Sequence, residues 1–332
     1  MEKVKGLIIL HLDNLPRVYP DNLLQQLQEK VEFVTEPQTA ENIQSCPELL
    51  KDVDVIFSSW GMVPLDEKLL TYAPKLQAVF YAAGSIRYFA SEAFWQRGIR
   101  ISSAYHVNGE FVANTTLAQI LLSLKCYWSH VRLYKQAHQT WKRVHTPGMY
   151  RSTIGIISLG AIGRRVAELL QPFDLKVIAY DPFTSREQAE LLGVELTSLD
   201  EIFTRSDVVS LHTPWLPQTE GMITGKHLLT MKPNATFINT ARGAIVREQE
   251  MIAALEQRPD LTALLDVTYP EPPVDNSKLF SLPNVILSPH IAGAMDGEIG
   301  KMGAVMVDEF FRWLHDQPML YEIDGETAKK LA

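Results

Sequence analysis

The chain has 332 residues, 31 Lys and Arg against 39 Asp and Glu, 46% hydrophobic residues and a formal net charge of -8. That length suits about two domains of ~150 residues each. The acidic balance, without a local basic patch, argues against nucleic acid or an anionic membrane as a partner. Cys46 and Cys126 form neither a CxxC pair nor a ladder with histidines, which excludes a thiolate metal site and a disulfide framework. Two unpaired thiols suit a cytoplasmic setting. The first apolar run, Leu7 to Leu10, stops at His11 and Asp13, too short for a signal sequence. No run approaches the ~20 apolar residues of a membrane span.

Short β-branched runs alternate with stretches of helical period, the pattern of α/β units around parallel sheets. Strands are expected at Gly6 to His11, Val31 to Val34, Val53 to Ser58, Leu76 to Tyr81 and Arg100 to Ser103, with helices over Asn22 to Lys30 and Pro64 to Tyr72. A long helical pattern begins near Asn108 and runs through Leu117, Ile120, Leu121 and Leu124 past Tyr134, as a bridge between domains or as a core helix. The polar stretch His145 to Ser152 reads as a loop. A second strand series follows: Thr153 to Ser158, Lys176 to Tyr180, Val194 to Leu196, Val208 to Leu211, Ala235 to Asn239, Leu261 to Asp266 and Val285 to Leu287. Most are apolar on both faces, as covered parallel strands should be. Ligands of such doubly wound sheets bind at the carboxyl ends of the strands.

The first strand of the second series runs into Ser158-Leu159-Gly160-Ala161-Ile162-Gly163. Gly160 would let backbone approach a pyrophosphate, Gly163 would let the following helix pack on the strand, and the helix N-terminus would face the phosphates. Ser158 stands at the first glycine position of the usual GxGxxG. Asp181 lies eighteen residues after Gly163 at the end of an apolar strand, where an acid accepts hydrogen bonds from an adenosine ribose and repels a 2′-phosphate. NAD is therefore the expected cofactor, with nearby Arg186 able to soften the discrimination against NADP.

Three later strands end in polar residues: Thr240-Ala241-Arg242-Gly243, Asp266 through Glu271, and His290 through Gly293. An arginine binds a carboxylate through two parallel hydrogen bonds, and a histidine exchanges protons near neutral pH. A carboxylate beside that histidine orients its ring and favours the imidazolium. Together these groups suffice to reduce a 2-oxo acid with NADH. His212, before Thr213-Pro214, also ends an apolar strand and competes with His290 on this reading.

The ordered set Gly155 to Gly163, Tyr180-Asp181, Leu211 to Pro214, Ile238 to Gly243, Leu265 to Pro272 and Ser288 to Gly293 resembles the D-isomer-specific 2-hydroxyacid dehydrogenase family, glyoxylate and hydroxypyruvate reductases included. The resemblance implies two doubly wound α/β domains, a Rossmann NAD-binding domain at 104-289 inserted into a flavodoxin-like catalytic domain at 1-103 and 290-332. The latter would be completed by a helix from Gly297 to Leu314, and the substrate would lie in the cleft between the two. It implies Arg242 as substrate-binding residue, His290 as general acid/base and Glu271 as its partner. Ser158, Gly160, Ala161, Ile162, Gly163, Asp181, His212, Thr213, Pro214, Thr219, Thr240, Ala241, Asp266 and Gly293 would contact the cofactor, Asp266 at the nicotinamide carboxamide. It further implies a homodimer joined through the cofactor domains, and no metal.

Several positions depart from the family pattern. Beside Ser158, Asn114 replaces a usual Glu, Arg87 stands near a usual Asp, and Thr268-Tyr269 replaces an aromatic pattern. Ser158 is expected to widen the phosphate turn slightly and to offer its hydroxyl as an extra contact. Strand-end loops of the first series offer Trp60, Gly84, Ser85 and Asn108 to a substrate, with backbone amides of Gly84 and Ser85 suited to its carboxylate. Arg87 is the one cation near these loops, which argues against a phosphorylated substrate. Trp60, Tyr81, Tyr88 and Trp141 either shape an apolar side pocket or pack in the core. The same scaffold also admits an NAD(H)-sensing, corepressor-like binding protein, and a formate-oxidising enzyme would be expected to carry Gln at position 271.

Overall fold

The computed structural model describes residues 3–137 and 143–329, so Trp141 lies outside the described residues. The chain divides into two compact units, Met1–Gly109 with Ala294–Ala332, and Glu110–Gly293. The sequence-based junctions at 103/104 and 289/290 fall a few residues earlier. His290 goes with the second unit because its own N–H and those of Ile291 and Ala292 are tied to Asp266.

In the first unit, β1 (Val4–Ile9), β2 (Val31–Phe33), β3 (Val55–Ser58), β4 (Ala78–Tyr81) and β5 (Arg100–Ser103) form one parallel sheet of order β2-β1-β3-β4-β5. This is the flavodoxin-like order. Every residue of β3 and β4 is buried, so both faces are covered. Leu7, Ile9, Ile56, Val79 and Ile101 join one core cluster. Phe57 and Phe80 stack at 5.4 Å, and each meets Phe310 edge-on. Phe310 belongs to the helix Gly297–Leu314, which thereby completes this unit. Gly303 of that helix lies so close to Val18 that a Cβ would meet its carbonyl oxygen at 1.7 Å. Glu309, 1% exposed, is satisfied by the Ser102 hydroxyl and the amides of Leu320 and Tyr321.

The second unit holds β6 (Thr153–Ile157), β7 (Lys176–Tyr180), β8 (Val194–Leu196), β9 (Val208–Leu211), β10 (Thr236–Asn239), β11 (Thr262–Leu265) and β12 (Val285–Leu287). Their order is β12-β11-β10-β9-β6-β7-β8, parallel throughout. This is the Rossmann arrangement extended by one strand. The chain order reverses between β6 and β9, the switch point where ligands of such sheets bind.

Two helical expectations are corrected. The pattern from Asn108 past Tyr134 is two helices, Tyr105–Ser123 and Tyr127–Ala137, separated at Cys126, whose φ of 46° no helix accommodates. Between Pro64 and Tyr72 only Glu67–Leu70 is helical, started by Asp66, whose side chain accepts from the Leu69 amide. Among the described residues no helix is long and apolar enough to cross a membrane, and no group of three His, Cys, Asp or Glu is placed to hold a metal ion.

Candidate active site

In the second unit, parallel pairing brings the ends of β9, β10, β11 and β12 to one sheet edge. The residues after β11 and β12 meet there. His290 Nδ1 lies 2.6 Å from Glu271 Oε1, and both side chains are about half exposed. The His290 backbone is left-handed, with φ 55°, a conformation that is costly for a non-glycine residue.

Asp266 holds that turn. Its carboxylate accepts from the Ser288 hydroxyl at 2.5 Å and from the amides of Ile291 and Ala292 at 2.9 and 2.8 Å, and its carbonyl accepts from the His290 amide. A buried acid with three donors on its carboxylate organises the histidine loop whatever else it touches. Ser288 carried no signal in the sequence beyond being a polar residue before a proline.

Arg242 follows β10. Asn239 braces its loop by accepting from the Ala241 amide and donating to the Arg242 carbonyl, while Arg242 Nη1 donates to the Ala241 carbonyl. Burial pulls the Arg242 guanidinium below its ordinary range, and the negative Glu271 opposes that shift. Gly243 is required next to it, because a Cβ would stand 2.0 Å from the Thr268 carbonyl carbon. The β10 loop is thus pressed onto the β11 loop that carries Glu271.

His212 differs from His290. It is 8% exposed, its Nε2 shares a 2.9 Å hydrogen bond with the Ser210 hydroxyl, and its Nδ1 is buried without a partner among the described residues. Burial drives its pKa down to about 4, so the ring is neutral at physiological pH. A neutral, enclosed imidazole is poorly suited to exchange protons with a substrate.

At the same carboxyl edge of the sheet, next to β9, the turn after β6 has the form a dinucleotide needs. Gly160 caps the helix Ala161–Leu170 with an extended backbone and no side-chain cap, leaving the first amides, from Ala161 and Ile162 onward, open. A Cβ at Gly160 would meet nothing within 4 Å, whereas one at Gly163 would lie 2.0 Å from the Ser158 carbonyl oxygen. The turn is therefore open toward a ligand and tight toward the strand. Ser158 adopts φ 76°, and its hydroxyl pairs with that of Thr213 at 3.0 Å. That pairing ties the turn after β6 to the loop after β9. The Asp181 carboxylate accepts from the amides of Leu159, Phe183 and Thr184, tying the β7 end to the phosphate turn. Thr219 closes the loop after β9 by donating to the Pro214 carbonyl at 2.5 Å, Thr240 pairs with Thr116, and Gly293 ends the unit.

In the first unit, Trp60 accepts from the His11 amide, Gly84 accepts from the Ser103 hydroxyl, and the nearest atom to a Cβ on Gly84 is Asn108 Nδ2 at 3.8 Å. Gly84 and Asn108 therefore share one strand-end rim, with half-buried Ser85 beside Gly84. Of the aromatic residues, Tyr81 is buried core, Trp60 is partly buried against that core, and Tyr88 is half exposed, its hydroxyl 3.1 Å from that of Tyr81.

Residues 120–292 match the family model of the D-isomer specific 2-hydroxyacid dehydrogenase NAD binding domain. The chain belongs to this family. Its cofactor is NAD, and the open, glycine-lined helix start after β6 fits the dinucleotide's pyrophosphate. The D-3-phosphoglycerate dehydrogenase of Methanocaldococcus jannaschii is 32% identical over 263 residues, covering 79% of this chain and 50% of that protein. That of Mycobacterium tuberculosis is 34% identical over 250 residues, covering 75% and 47%. The chain thus spans about half the length of these curated relatives. Among solved structures, the apo D-mandelate dehydrogenase of Rhodotorula graminis shares the fold with TM-score 0.80 at 24% identity over 97% of each chain. A glyoxylate reductase from Paecilomyes thermophila does so with TM-score 0.78 at 23% identity, covering 98% of this chain and 100% of that one.

Proposed function

We propose that this dehydrogenase-family chain interconverts small 2-oxo acids and D-2-hydroxy acids with NAD(H), using His290 as acid/base, Glu271 as its partner and Arg242 as the carboxylate anchor. The observation that carries the reading is the 2.6 Å contact between His290 and Glu271, in the unit that also holds Arg242 and the open helix start after β6. Bound NADH supplies the hydride to the carbonyl carbon. His290, its Nδ1 committed to Glu271, gives a proton from Nε2 to the carbonyl oxygen and takes it back in the reverse direction. Arg242 fixes the carboxylate by paired hydrogen bonds, so the carbonyl presents one face to the hydride. The remaining positions expected at the cofactor are proposed as its cradle: Ser158 through Gly163, Asp181, Thr213, Pro214, Thr219, Thr240, Ala241, Asp266 and Gly293. His212 belongs to that cradle as a neutral wall residue.

The substrate is proposed to be unphosphorylated, although the relatives named above are phosphoglycerate dehydrogenases. The first unit's loops at Trp60, Gly84, Ser85 and Asn108, proposed as substrate contacts, bring one cation, Arg87, and a phosphate dianion calls for several. Leu122, Tyr127 and Val131 are exposed on the helices before β6 and suit a homodimer joined through the cofactor units. The free cysteines Cys46 and Cys126 suit a cytoplasmic setting.

The test is a panel of glyoxylate, hydroxypyruvate, pyruvate, phenylpyruvate and 3-phosphohydroxypyruvate with NADH and with NADPH. NADH consumption with an unphosphorylated member is expected. Tight NADH binding without turnover anywhere on the panel would overturn the enzymatic reading in favour of NAD(H) sensing, and turnover confined to the phosphorylated acid would overturn the substrate class.

A further inference from the structure

Two adjacent hydroxyls on one helix each hold one of the loops that carry the proposed chemistry. Thr115 Oγ1 donates to the Ala292 carbonyl at 3.1 Å, and Thr116 Oγ1 pairs with Thr240 Oγ1 at 3.2 Å. All four residues lie in the second unit. Thr116 is fully buried and Thr240 nearly so, so their hydrogen bond is not traded against water.

We propose that Thr115 and Thr116 are positioning residues that set the placement of His290 and Arg242 respectively, fixing both loops to a common helix. This rests on the roles proposed above for His290 and Arg242. The left-handed turn at His290 survives only if the chain on both sides is fixed. Asp266 fixes the donors there, taking the amides of Ile291 and Ala292, and Thr115 takes the Ala292 carbonyl. In the other loop Asn239 braces Ala241 and Arg242 from one side, and Thr116 holds Thr240 from the other. Because each hydroxyl serves a different loop, losing one should disturb one function and spare the other.

Thr115→Val and Thr116→Val keep the side-chain shape and remove the hydrogen bond. Thr115→Val should lower kcat about tenfold with KM for the 2-oxo acid changed less than about twofold, since a misplaced proton donor acts on the chemical step. Thr116→Val should raise that KM about tenfold with kcat changed less than about twofold, since Arg242 anchors the carboxylate. Thr115→Ser and Thr116→Ser should restore wild-type values. A readout independent of turnover is hydrogen exchange, which should quicken at the amides of Ile291 and Ala292 in Thr115→Val and not in Thr116→Val. Parallel loss of both kinetic parameters in both variants, or serine variants that restore nothing, would reduce the threonines to general packing. If the wild-type chain turned over no 2-oxo acid, the functional reading would fail by itself, and exchange at Ile291 and Ala292 would decide this proposal: unchanged rates in Thr115→Val overturn it.

Discussion

Nδ1 of His290 and Oε1 of Glu271 are 2.6 Å apart although they stand on loops following different strands, β12 and β11. The pairing spends one ring nitrogen on orientation and leaves the other for the substrate. Glu271→Gln keeps the shape but removes the carboxylate charge beside the ring. NADH affinity, followed by fluorescence titration, should hold, while kcat falls by roughly 10- to 100-fold and the pH–rate profile changes shape. Unchanged kcat and profile would remove Glu271 from the chemistry. His290→Ala should cost far more turnover than His212→Ala, and equal losses would undo the assignment of the proton donor.

Arg242→Lys retains the positive charge and loses the planar fork. A lysine replaces two parallel charge-assisted hydrogen bonds with one flexible contact, worth about 1.5–3 kcal/mol less, so KM for the 2-oxo acid should rise roughly 10- to 100-fold. NADH binding should be untouched. Steady-state kinetics across a series of 2-oxo acids checks this, and a KM within the wild-type range would show that another group holds the carboxylate.

At the phosphate turn, Ser158 pays for a left-handed backbone and recovers part of it through Thr213. Ser158→Ala keeps the unfavourable φ and discards the hydrogen bond; Ser158→Gly discards both. Glycine at such a φ is preferred over alanine by about 1 kcal/mol. Urea denaturation should therefore rank Ser158→Gly above Ser158→Ala by about that margin, with wild type near the glycine variant. The reverse ranking would mean that the turn relaxes when the serine is gone.

The sheets were legible in the sequence because their strands are buried on both faces and therefore apolar throughout, as at Val208 to Leu211. The cluster of Arg242, Glu271 and His290 was legible for a related reason: parallel strands deliver their carboxyl ends to one edge, so three polar strand ends in order must gather there. The break at Cys126 was not legible, because a single left-handed residue leaves the spacing of three and four almost intact. Nor were Thr115, Thr116, Asn239 and Ser288, since short polar side chains in helices and loops carry no periodic signal, and their roles arise from long-range partners such as Ala292 and Asp266. The partner of the Ser158 hydroxyl was not legible either, since Thr213 stands 55 residues further along the chain.

His212 gives the last prediction, and its sign follows from burial. The folded ring titrates near 4, while an unfolded histidine titrates near 6.5, so below about pH 6.5 the unfolded chain binds a proton that the folded chain refuses. Stability should thus be whole above that pH and drain away as the pH falls toward 4, by about 3 kcal/mol at most from this residue. His212→Gln has no such titration. At pH 7.5 the variant should lie within about 1 kcal/mol of wild type, since it trades one buried polar group for another. By pH 4.5 the balance should have moved toward the variant by about 2–3 kcal/mol. Urea midpoints of both proteins across that range measure the difference, and parallel curves would show that His212 is protonated in the fold well above pH 4.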